Sequence, residues 1–228
     1  MTRRPIESLL IESSIEAGRC QRNWDLTIDI PESHLNTLVD VAMNMPTKQN
    51  VLAYELIVLT KRKDIEHLYS LAVATKRDNP TGSEFKDSDL FRNNQVNASL
   101  LFIWIRSNRI QENKNYYYKE KIDSADYKDL SNTMTDIQVN AIGISSGATA
   151  LAANMLGYKT GFNNCFLKEE TNKWISDNIT DTNFTLVNSL GIGKPLKAYK
   201  RNQVIIDDKI KFTAQLKEPF KEKYVHII

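Results

Sequence analysis

A chain of 228 residues, 41% hydrophobic and 25% charged, is long enough to bury roughly 70% of the surface its unfolded form would expose, which excludes intrinsic disorder as its main state and favours one domain, residues 1–228, over several. Thirty Lys and Arg against 28 Asp and Glu leave a net charge of +2, too little for the broad positive field of non-specific nucleic-acid binding, so any anion site is local. The two cysteines, Cys20 and Cys165, lie far apart without a CxxC spacing, which argues against a disulfide framework or a structural zinc site and fits a reducing cytoplasm.

After Pro5, Glu7 and Glu12 interrupt the apolar residues before the core of a secretion signal can form. Residues 32–44 carry Leu35, Leu38, Val39, Ala42 and Met43 on one helix face, with Pro31 preset for the first turn. Residues 54–60 (YELIVLT) read as a strand, and Ile65, Leu68, Tyr69, Ala72 and Val73 restore the helical spacing behind it. Residues 78–97 and 106–131 are polar and too long for simple connections, which predicts lid or excursion segments. Between them SLLFIWI, residues 99–105, is apolar on both faces and belongs mid-sheet.

Residues 136–156 predict a helix that is small-sided nearly all round, through Ala141, Gly143, Ser145, Gly147, Ala148, Ala150, Ala152 and Ala153, with Gly157 as its stop. In the longest weakly polar stretch, Ile137 to Tyr158, Gln138, Asn140, Ser145, Ser146 and Asn154 interrupt the ~18 apolar residues of a membrane span, so no membrane association is expected. Residues 184–190 read as a strand running into Gly191-Ile192-Gly193-Lys194-Pro195, and residues 203–212 as a hairpin turning at Asp207-Asp208. Strands alternating with helices and long excursions give an α+β or three-layer α/β architecture.

The three histidines, His34, His67 and His226, stand without a Ser, Cys or Asp in any catalytic spacing and read as surface or capping residues. GxSxG, HExxH and GxxxxGK[ST] are absent, so no catalytic side chain and no metal ligand set is singled out. Such a protein can still perform redox chemistry when a cofactor supplies it. In Gly18-Arg19-Cys20-Gln21-Arg22-Asn23-Trp24, Arg19 and Arg22 stand three apart before an aromatic, able to clamp a phosphate or simply to be solvated. In Met45-Pro46-Thr47-Lys48-Gln49-Asn50, backbone amides and the Asn50 amide can bond a planar heterocycle or form a plain capping turn.

Together these stretches resemble the nitroreductase family of FMN-dependent oxidoreductases. Residues 18–24 match that family's R-[RH]-S-x-[RK]-x-[FY] stretch, and residues 46–56 its P-S-[SA]-x-N-x-Q-P-[WY]-x-[FV] turn. The small-residue helix with residues 156–166 matches A-x-x-L-G-[LI]-[GD]-[TS]-x-[WP]-[IM]-x-[GA]-[FL], and residues 190–195 match its l-G-[YI]-[PG]-x-P strand end, with Lys197, Lys200 and Arg201 close behind. Order and spacing hold over residues 15–202. The departures are Gly18 for the first Arg, Cys20 for Ser, Leu52-Ala53 for Gln-Pro, and Asn164-Cys165 for the usual Glu-Gly or Gly-Ala.

The resemblance implies a nitroreductase-like α/β/α sandwich, α+β in class, with a mixed and mainly antiparallel sheet. It implies an intertwined homodimer with one FMN in each interface cleft. By the same resemblance Arg19, Cys20, Lys200 or Arg201 would hold the phosphate, and Arg22 would approach the ribityl chain and pyrimidine edge. Pro46, Thr47, Lys48 and Asn50 would reach in from the other subunit. Asn164 and Cys165 would approach the hydride-accepting nitrogen, with Asn93 or Asn94 at the pyrimidine edge. The implied activity is hydride transfer from NADH or NADPH through FMN to a small-molecule acceptor such as a nitroaromatic or quinone. Flavin-fragmenting or reductive dehalogenating chemistry in the same fold is the alternative. A non-catalytic flavin or nucleic-acid binding protein is a rival, resting on the basic, aromatic stretch Asn113-Lys114-Asn115-Tyr116-Tyr117-Tyr118-Lys119. Near-neutral net charge weighs against it, and the tyrosines read better as a loop over the cofactor cleft.

Overall fold

The run that is apolar on both faces does form the middle of the sheet. In the computed structural model, which describes residues 5–48, 53–74, 91–107, 127–179, 184–206 and 209–213, strand β5 (Leu100–Ser107) lies between β2 (Glu55–Leu59) and β7 (Phe184–Pro195). Successive strand side chains point to opposite faces. Leu100, Phe102 and Trp104 therefore bury on one side against helices α2 (Glu32–Met43) and α4 (Tyr127–Met155), through Leu38, Ala42, Ala141, Ile142, Ala150 and Ala153. Leu101, Ile103 and Ile105 bury on the other against α3 (Arg62–Leu71) and α5 (Lys168–Asn178), through Ile65, Leu68 and Ile175. The result is the expected three-layer α/β/α sandwich.

Strand β7 is the hub. It pairs with β5 along one edge, Leu100 opposite Ile192. Along the other it pairs first with β6 (Lys159–Asn163) and then, at Lys194 and Pro195, with β1 (Trp24–Asp25). Every pairing among the described residues is antiparallel. The short strands β3 (Val73–Ala74) and β4 (Phe91–Arg92) pair with each other, as do β8 (Gln203–Ile206) and β9 (Lys209–Thr213), the hairpin read from the sequence.

The glycine run after residue 190 departs from the sequence reading, because it continues the strand to Pro195 instead of ending it. A Cβ on Gly191 would stand 1.9 Å from the Gln95 carbonyl oxygen, and one on Gly161 2.6 Å from that of Gln21. Backbone from elsewhere thus covers the sheet where side chains would normally stand. The small-residue helix also starts earlier than expected, at Tyr127 instead of 136. It ends as expected: Gly157 takes a φ of +80°, and the Tyr158 N–H to Ala153 O (2.9 Å) and Gly157 N–H to Asn154 O (3.0 Å) bonds close a Schellman motif.

Two helices went unread in the sequence, α1 (Ile6–Ala17) and α5. Of the excursion segments, residues 91–97, 106–107 and 127–131 belong to strands, a turn and α4, whereas 78–90 and 108–126, including the Tyr116–Tyr118 stretch, lie outside the described residues. No described helix is long and apolar enough to cross a membrane.

Candidate functional site

Three of the four motif stretches meet at one corner of the sheet. The Arg22 N–H donates to the Arg201 carbonyl (3.0 Å), and the Asn23 side-chain amide donates to the carbonyls of Lys200 (2.8 Å) and Gln203 (2.7 Å). The N-terminal arginine stretch and the C-terminal basic stretch therefore run side by side. The third stretch joins through Gln21, whose N–H donates to Thr160 O (2.8 Å), and through Cys20, whose thiol lies 3.9 Å from Phe162 O.

The centre of this corner is Glu16, in the last turn of α1. Its Oε1 accepts from Arg19 Nη1 at 3.2 Å, and its Oε2 accepts from Arg201 Nη1 at 2.6 Å and from Lys159 Nζ. Arg201 Nη2 donates besides to the backbone carbonyls of Glu16 (3.3 Å) and Arg19. Burial alone would raise the Glu16 carboxyl. The Lys159 hydrogen bond and the charges of Arg201, Lys159 and Arg19 overcome that and hold it below its ordinary value. Three cations around one carboxylate leave a local charge of +2. Arg201 Nε is buried with no hydrogen-bond acceptor, so the guanidinium retains donor capacity that its present partners do not meet. Charge and unmet donors both suit a phosphate monoester, which carries about −2 near neutral pH.

The remaining expected site residues distribute around this cluster. Arg22 is half-buried, with Nη1 donating to Cys20 O at 3.3 Å. Lys200 is exposed; its backbone N–H donates to Gln203 Oε1 (2.8 Å), and it is not part of the Glu16 cluster. Asn163 caps the turn after β6 by accepting the Cys165 N–H on its side-chain oxygen (3.3 Å), which leaves Asn164 and Cys165 exposed at the strand end. Asn94 is buried, its carbonyl accepting from Trp24 Nε1 (2.7 Å) and its side chain from the Tyr69 hydroxyl (2.9 Å). Asn93 Nδ2 donates to Val73 O (3.2 Å). These two asparagines belong to the 93–98 turn that covers Gly191 and Gly161.

Pro46, Thr47 and Lys48 leave α2 at its C-terminal end, and Asn50 lies outside the described residues. The other end of α2 meets the site corner, because His34 Nδ1 stands 2.7 Å from the hydroxyl of Tyr158, the residue before Lys159. A 12-residue helix is ~18 Å long, so the Pro46 turn stands about that far from the His34 end of α2. Glu16 and Lys159 are the site residues missed in the sequence. The one local signal was Glu16 three residues before Arg19, the spacing of a helical ion pair.

The overall fold has counterparts among solved structures. A candidate NAD(P)H:FMN oxidoreductase from Staphylococcus epidermidis superposes with a TM-score of 0.63 at 15% identity, covering 100% of this chain and 98% of that one. The fold is that of the nitroreductases. A candidate nitroreductase from Exiguobacterium sibiricum, in complex with FMN, shares the nitroreductase fold at a TM-score of 0.61 and 14% identity, over 100% of this chain and 99% of its own. A BluB-like flavoprotein from Clostridium difficile 630 does so at 0.63 and 14%, over 99% and 100%. No family model matches the sequence, and no curated protein sequence does so.

Proposed function

We propose that this chain is an FMN-dependent NAD(P)H oxidoreductase of the nitroreductase family, a cytoplasmic homodimer that reduces a small acceptor such as a nitroaromatic or quinone. The observation that carries this reading is the cationic corner of Arg19, Lys159 and Arg201, set where three stretches resembling that family converge within a nitroreductase fold. Structures of the same fold include one in complex with FMN.

In this reading the corner receives the phosphate end, with Arg22 next along the chain toward the ribityl chain and ring. Bound FMN supplies the hydride chemistry. The chain's part is to bind, orient and exclude water. Asn164 and Cys165, at the exposed end of β6, present backbone groups toward the ring edge.

Homodimer formation is supported by apolar surface that one chain leaves bare. Helix α1 turns Leu9 and Ser13 inward while Ile6, Leu10, Ile11 and Ile15 are 70%, 47%, 60% and 50% exposed. Helix α4, packed against it, exposes Gly143, Ile144, Gly147 and Met155. Exposed large apolar side chains on two helices packed together suit an association surface. In this reading a second copy seated there brings its Pro46 turn to the cofactor.

The test is titration of the purified protein with FMN, followed by NADH or NADPH oxidation with a nitroaromatic acceptor. Binding of FMN and acceptor-dependent oxidation are expected. Failure to bind FMN would reject the reading. Destruction of the flavin chromophore during turnover would replace it with the flavin-fragmenting alternative.

A further inference from the structure

Glu16 occupies an unfavourable place for a carboxylate. It lies in the last turn of α1, where the helix dipole repels negative charge, and it is partly withdrawn from water, with 26% of its side chain exposed. What holds it there is the set of three cations from three separate stretches of chain. Both carboxylate oxygens are engaged, Oε1 by Arg19 and Oε2 by Lys159 and Arg201.

We propose that Glu16 is a resident counter-ion that a phosphate monoester must displace, so that this one carboxylate sets how tightly the corner takes a phosphate-bearing ligand. The inference rests on the reading of that ligand as FMN, but its chemistry is that of any phosphate monoester. Without an anion, Arg19, Lys159 and Arg201 would repel one another across a partly buried space, and Glu16 relieves that repulsion in the unliganded protein. Arg201 does not need the carboxylate to keep its place. Its Nη2 is bonded to two backbone carbonyls, Glu16 O and Arg19 O, and its own carbonyl accepts the Arg22 N–H. The guanidinium is thus held mainly by backbone, whereas the glutamate is held by ions alone and has three side-chain torsions with which to swing into water. An arriving dianion takes over the same N–H donors and brings more charge than it displaces. The Arg201 Nε that now has no acceptor gives that exchange a further donor.

The experiment is isothermal titration of the full chain and of Glu16→Gln with FMN, riboflavin and inorganic phosphate, after circular dichroism has shown both folded. FMN and inorganic phosphate are expected to bind the variant about ten-fold more tightly, the scale of removing one like charge from a partly screened site, with riboflavin affinity unchanged. Unchanged or weakened FMN and phosphate affinity would overturn the proposal and make Glu16 a residue that positions Arg19 and Arg201. Tighter phosphate binding in a protein that takes up neither flavin would uphold the counter-ion and reject FMN as the ligand. Should Glu16→Gln fail to fold, Glu16→Asp keeps the charge but shortens the reach. A gain of the same sign and about three-fold size is then expected, and no gain would overturn the proposal.

Discussion

At Gly191 a single missing methyl group decides whether two parts of the chain can meet. The Cβ of an alanine there would sit 1.9 Å from the Gln95 oxygen, which is backbone and cannot step aside as a side-chain tip would. Gly191→Ala should therefore push the 93–98 turn off β7 and cost 3 kcal/mol or more, roughly the upper end of overpacking penalties. Gly147→Ala, where no atom lies within 4 Å of the added carbon, is the control and should cost nothing, gaining up to about 1 kcal/mol as alanine replaces glycine in a helix interior. Urea unfolding of the two variants makes the comparison. Glu16 makes a second prediction at this scale. Its folded carboxyl titrates below its ordinary value of 4.5, so the stability it contributes is complete above that value and is lost as pH falls through the folded one. The groups that face it are the Arg19 and Arg201 guanidinium groups and the Lys159 amine. Unfolding curves should show the wild type losing about 1 kcal/mol more than Glu16→Gln between pH 6 and pH 3, a partly exposed network being worth little more.

Between elements, the layers are fastened by a buried polar chain. Trp104 Nε1 on β5 donates to Ser145 Oγ on α4 (2.8 Å), which donates to the Ala42 carbonyl near the end of α2 (2.6 Å), where the Tyr54 hydroxyl also donates. Ser145→Ala leaves the indole N–H buried without an acceptor and should cost about 1–3 kcal/mol. Thermal unfolding of the variant would show it, and an unchanged midpoint would mean that the indole finds another partner. The elements themselves differ in how plainly the sequence announces them. Strand β5 is legible because both its faces are buried and every residue from Leu100 to Ile105 is apolar. Helix α2 is legible from its one-sided stripe. Helix α1 is not, because its bulkiest apolar residues point away from the chain's own core, so no inward stripe appears. Helix α5 buries only Thr171 and Ile175 fully, too few to set a period. The long β7 reads short because glycine weakens a strand signal, and the backbone that compensates comes from a turn remote in sequence. The same holds for the site. The arginine stretch and the basic stretch near residue 200 are visible as charges, but Glu16 acquires its role only when Lys159 and Arg201 are folded against it.

For the whole molecule the decisive measurement is mass. Gly147 lies on the bare face of α4 with open space beyond its Cα, so Gly147→Arg should leave the monomer fold intact while placing a charge in the proposed subunit contact. Light scattering is expected to give a wild-type mass of about twice 26.1 kDa and a variant mass near the single-chain value. Because each cofactor site would draw on both chains, FMN should be lost together with the dimer. A single-chain mass for fully FMN-loaded wild type would refute the arrangement. Order of synthesis adds a consequence at this scale. Strand β7 joins β1, β5 and β6, and it is among the last described elements to be made. Until it leaves the ribosome, Trp24 and the apolar run of β5 have no partner along one edge, and the 93–98 turn has no glycine floor to rest on. The emerging chain thus carries its most apolar strand half-paired while residues 108–183 are made. Nascent chains halted before residue 184 should be the species that chaperones hold and proteases cut, and those halted beyond residue 195 and clear of the exit tunnel should resist both.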